Sequence, residues 1–76
     1  RGLTDSQYNV ARLYENGAQG LAPNTSQALT WYAIAARSGD AEARAAYDRL
    51  NASASPAARQ IARRAADSFQ AADAAG

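Results

Sequence analysis

The sequence predicts an all-α protein of about four helices, arranged as helix-turn-helix pairs. Three observations carry that prediction. Large apolar residues recur three and four apart in every segment, no stretch alternates apolar and polar residues as a strand would, and glycine or proline separates the periodic runs. The chain has 76 residues, of which 22 are alanine, leaving 14 larger apolar or aromatic side chains to fill a core. At this length a chain buries only about 60% of the surface it exposes when unfolded. Helices must therefore approach closely, with alanine at the contacts.

The first segment, Asp5 to Asn16, carries Tyr8, Val10, Leu13 and Tyr14 on one stripe, with Gly17 free to end the helix in the left-handed conformation. Thr4 followed by Gln7 fits a capping box. Gly17, Gly20 and Pro23 then mark a loop. Asn24 is the expected cap of a second helix, with Gln27 in the reciprocal position. That helix runs through Leu29, Trp31, Tyr32 and Ala35 to Arg37, and Gly39 stops it. Asp40 opens a third, with Ala43, Ala46, Tyr47 and Leu50 on its stripe, to about Leu50. Asn51 to Ser55 is small and polar and breaks the pattern. Ser55-Pro56 is a capping hydroxyl followed by proline at the first helical position, so a fourth helix starts there. Its stripe includes Ile61 and Phe69, and it is expected to fray after Asp73.

Internal self-similarity appears at an offset of 37 residues, which places Gly2 on Gly39, Val10 on Tyr47, Arg12 on Arg49 and Leu13 on Leu50. The division that follows is a full repeat over residues 1–39, the first helix of a second, degenerate repeat with a linker over 40–54, and a capping helix over 55–76. The string from Ser6 to Gly17, then Gly20-Leu21, Asn24, Ala28-Leu29, Trp31-Tyr32, Ala35-Ala36 and Gly39-Asp40, resembles a Sel1-like repeat. Ala11, where glycine is common, and Pro23, one place later than usual, depart from that pattern. The resemblance implies a TPR-like α-solenoid fragment, here the C-terminal repeat and capping helix of a larger bacterial protein. It implies a non-catalytic scaffold whose concave surface takes a peptide or protein, and it slightly favours the bacterial envelope as the compartment. Structural self-association through the alanine-rich last helix is the alternative.

Composition narrows the chemistry. Histidine, cysteine and lysine are all absent, which removes Ser-His-Asp, Cys-His and Ser-Lys arrangements and the usual zinc ligands. No catalytic residue, metal ligand or cofactor site is expected. Eight basic against seven acidic residues argue against nucleic acid as a partner, and no apolar run is long enough for direct membrane insertion. The glycine loop follows a helix and lacks a Lys-Ser/Thr signature, so it is not a phosphate cradle. Trp31, Tyr32, Tyr8 and Tyr14 read as core. The residues left for a partner are Asn9 and Arg12, off the stripe of the first helix, with Arg44 and Arg49 as their counterparts in the third. Arg12 and Arg49 are expected to stand in line and to bind an acidic or carboxylate-bearing segment. Arg59, Arg63 and Arg64 sit in the first half of the last helix, against the helix macrodipole. Their expected partners are Asp67 one turn on, Glu42 or Asp48 on the preceding helix, or an external protein.

Overall fold

In the computed structural model the backbone is described for residues 2–75 and the side chains for residues 6–69. Four helices follow one another: α1 (Gly2–Asn16), α2 (Thr25–Arg37), α3 (Ala41–Ser53) and α4 (Pro56–Ala75). Among the described residues there is no strand. Both α1 and α3, and also α4, pack against α2. That central position explains why α2 is buried on nearly every side, from Ala28 through Thr30 and from Tyr32 through Ala35.

Local chemistry sets the helix ends. Asn24 is extended and its Oδ1 accepts from the Gln27 amide at 3.1 Å. The Ser26 hydroxyl, not the Gln27 side chain, adds the second bond to Asn24, at 2.8 Å. Asp40 accepts from the amides of Glu42 and Ala43, and the Ser55 hydroxyl accepts from the Ala58 amide at 3.1 Å. Three expectations need correction. First, α1 begins at Gly2, which puts Thr4 inside the helix and not at its cap; its side chain lies outside the described residues. Gln7 is instead buried, and its Oε1 has no hydrogen-bond partner. Second, α3 continues through Asn51 to Ser53, past the expected break. Third, α4 extends to Ala75, while the side chain of Asp73 lies outside the described residues.

The loop between α1 and α2 closes tightly. Ala18 and Leu21 exchange two backbone hydrogen bonds around Gln19 and Gly20, and the Asn24 amide returns to the Tyr14 carbonyl at 2.7 Å. Gly17, at φ +77°, donates its amide to the Leu13 carbonyl at 2.7 Å, the left-handed cap of α1. A Cβ at Gly17 would stand 2.9 Å from the Pro23 ring. Gly17→Ala should therefore cost about 1–2 kcal/mol for the backbone conformation, and more for the ring clash. A drop in the thermal midpoint of helical circular dichroism checks it; an unchanged midpoint would show that the loop relaxes freely.

The core is mainly alanine. Among the described residues, eight of the twelve buried apolar ones are alanines, with Leu29, Tyr32, Ile34 and Leu50 as the larger ones. Ala11, Ala28, Leu29, Tyr32, Ala46, Leu50 and Ala62 form one cluster drawn from all four helices, with Tyr8, Tyr14 and Tyr47 packed on its edge. Ala33, Ile34 and Ala66 form a second, flanked by Trp31 and Phe69, whose rings meet edge to face at 6.1 Å. Val10 is half-buried. Two residues placed in the core by periodicity are not there: Leu13 is 48% exposed and Ile61 57% exposed. In α4 the inward line is buried Ala62 and Ala66 with half-buried Ala58 and Phe69, which turns Ile61 outward.

Burial also revises the repeat register. At an offset of 36, buried Gln7 falls on buried Ala43, exposed Arg12 on exposed Asp48, and half-buried Glu15 on half-buried Asn51. At 37, buried Ala11 would fall on exposed Asp48, and exposed Leu13 on buried Leu50. The 37-residue match was keyed on Gly2 and Gly39, which are not equivalent: Gly2 lies within α1, whereas Gly39 follows the end of α2. Arg12 and Arg49 are consequently one position out of line.

Candidate interaction surface

Glu15 joins three helices. Its Oε1 accepts from the Tyr32 hydroxyl on α2 at 2.7 Å, and Arg49 on α3 reaches both carboxylate oxygens, at 2.8 and 3.1 Å. The two arginine bonds make a fork, the geometry that guanidinium and carboxylate share. The Arg49 bonds, joined by the Tyr32 hydroxyl and the field of Arg12, hold the Glu15 carboxyl below its usual range despite partial burial. Burial and the adjacent carboxylate push the Tyr32 phenol upward, so it stays a donor. The Glu15 contact raises Arg49 in turn. Glu15 itself reads in the sequence as one more carboxylate near a helix end. Its only sequence signal is indirect: a tyrosine on a helix buried on nearly every side needs a partner for its hydroxyl.

This tie redistributes the four residues singled out for a partner. Arg49 is turned onto α1. Arg44 lies elsewhere, at 3.6 Å from Asp48 one turn along α3, beside a cleft of about 250 Å³ lined by Ala33, Ala36, Arg37 and Tyr47. Asn9 and Arg12 do come together. With Leu13, Asn16 and Gly17 they line an open groove of about 380 Å³ along α1. Asn9, Arg12, Leu13 and Asn16 are all exposed. Arg12 makes no ion pair among the described residues. The groove thus offers a guanidinium, two amides and an aliphatic side chain, and Leu13 was missed as a surface residue because its spacing matched the buried stripe.

On α4 the expected pairings of the arginines do not form among the described residues. Asp67 turns to α2 and accepts from Arg37 at 2.8 Å, leaving Arg63 without it. Asp48 is beside Arg44 on its own helix. Among the described residues no helix is long and apolar enough to cross a membrane, and no group of three or more acidic side chains could hold a metal ion.

Residues 4–40 match the family model of the Sel1 repeat. No curated protein and no solved structure matches the chain significantly.

Proposed function

We propose that the chain is a scaffold module whose α1 face receives a partner segment, because residues 4–40 match the Sel1 repeat, a unit that generally mediates protein–protein interaction and is typically non-catalytic. Stacked helix pairs present their first helices along one concave surface, and α1 is such a helix. The observation that carries the reading is the groove itself: Arg12, which makes no ion pair among the described residues, and exposed Leu13 lie side by side with two asparagine amides. Arg12 suits a carboxylate, in a planar two-bond contact. Leu13 suits a neighbouring apolar side chain, and Asn9 and Asn16 suit the partner's backbone. The partner is then a peptide or protein segment with an acidic residue next to an apolar one.

Selection of a displayed random-peptide library against the chain tests this. Enriched peptides should combine an acidic and an apolar residue, and should bind Arg12→Ala and Leu13→Ala about tenfold more weakly or worse, as truncation of a central contact does. Peptides that bind both variants as well as the original chain would overturn the assignment. Arg49 is unsuitable for the test, because its replacement also releases Glu15. Self-association through α4 has less support. Phe69 is occupied by Trp31, which leaves Ile61 as the large apolar residue exposed on the described part of α4.

A further inference from the structure

We propose that the outward face of α4 is a second docking surface, separate from the α1 groove, and that it takes an acidic segment of a different protein. Arg59, Gln60, Arg63, Arg64 and Asp67 line an open groove of about 430 Å³ there. All five are exposed, on the side of the helix away from Ala58, Ala62 and Ala66. None of the three arginines makes an ion pair among the described residues, whereas Arg37, Arg44 and Arg49 each do. The acid that could have neutralised this face from within, Asp67, is held by Arg37. Three further acids are engaged elsewhere: Glu15 by Arg49 and Tyr32, Asp48 by Arg44, and Asp40 as the cap of α3.

Three arginines in the first half of a helix repel one another and oppose its macrodipole. An anion over this face meets both the guanidinium groups and the positive end of the helix. The spacing narrows the class of anion. Arg59 and Arg63 are one turn apart, as are Gln60 and Arg64, so the groups stand in a short ladder that carboxylates one turn apart on an acidic helix would match. A second copy of the chain does not fit, because among the described acids Glu42 alone has a carboxylate with no intramolecular hydrogen bond or ion pair. A lipid surface fits poorly, since the apolar side of α4 is already packed on α2 and cannot enter a bilayer. Nucleic acid fits poorly as well: the ladder is short and has no aromatic residue beside it for a base to stack on.

Fluorescence anisotropy with a labelled poly-glutamate peptide at low salt is the direct test. The chain should bind it, and the triple variant Arg59→Ala, Arg63→Ala, Arg64→Ala should bind about tenfold more weakly or worse. A peptide selected for the α1 groove should bind the triple alanine variant as it binds the original chain, which separates this surface from that groove. The charge-reversed variant R59E/R63E/R64E should lose poly-glutamate and gain poly-lysine. Equal binding of poly-glutamate by the original chain and the triple alanine variant overturns the proposal. Tighter binding of a single-stranded oligonucleotide or of phosphatidylserine vesicles than of poly-glutamate overturns the assignment to a protein partner.

Discussion

Tyr32→Ala should unfold the chain at temperatures where the original is fully helical. Among the described residues Tyr32 and Leu29 are the largest side chains that are completely enclosed, and Tyr32 lies in the cluster to which all four helices contribute. Its ring meets that of Tyr8 at 5.7 Å with the planes tilted by 58°, a contact worth about 0.5–1.5 kcal/mol beyond simple burial. Truncating a buried aromatic residue to alanine costs about 3–5 kcal/mol, because the cavity left behind collapses only in part. A domain of this size has in total about 4–11 kcal/mol of stability, at roughly 0.05–0.15 kcal/mol per residue. The loss is therefore a large fraction of the whole, and the midpoint should fall by about 15–30 °C. Tyr32→Phe keeps the ring and should cost only about 1 kcal/mol, the net worth of one hydrogen bond. Thermal unfolding followed by circular dichroism separates the two. If both variants lose equally, the hydroxyl and not the ring dominates, and the account of the core is wrong.

How this core could be read in advance, and where the reading stopped, follows from the range of the interactions. Helix caps are local: Asn24, Asp40 and Ser55 bond amides two or three residues ahead, so their roles are visible in short stretches of sequence. The use of alanine at close approaches was also legible, because a chain so poor in large side chains has no other way to pack helices. Periodicity was less informative at the edges of a stripe. Leu13 and Ile61 fit the three-and-four spacing, but they stand on the rim of the buried arc, where the crossing of the neighbouring helix decides which side is covered. The repeat register failed for a related reason. Glycines and arginines can match by chance, whereas the pattern of burial that distinguishes 36 from 37 exists only once α2 lies between α1 and α3. Glu15 was illegible because its partners are 17 and 34 residues away, and no spacing rule connects them.

Glu15→Gln should be destabilising at neutral pH and should lose most of that effect in acid. The carboxylate supports two neighbours at once: it satisfies the hydroxyl of buried Tyr32 and forks with Arg49. Leaving a buried polar group without its partner costs about 1–3 kcal/mol, so Glu15→Ala should lie in that range. The amide of Glu15→Gln can still accept from Tyr32 through its oxygen but presents a donor to Arg49, and should fall below it. The pH dependence has a definite sign. The folded chain holds Glu15 below its ordinary value of 4.5, chiefly through the Arg49 bonds, so folding favours the ionised form. That contribution is complete above about pH 4.5 and is lost as the pH falls through the lower folded value. The gap in midpoint between the original chain and Glu15→Gln should therefore be widest near pH 7 and should narrow steadily below about pH 4.5. Salt should narrow it less than it weakens the more exposed Arg44–Asp48 pair, because the Glu15 side chain is only 17% accessible. A gap that is constant from neutral to acidic pH would mean that the carboxylate charge contributes nothing to the joining of α1, α2 and α3. The tie would then act through shape and the Tyr32 hydrogen bond alone.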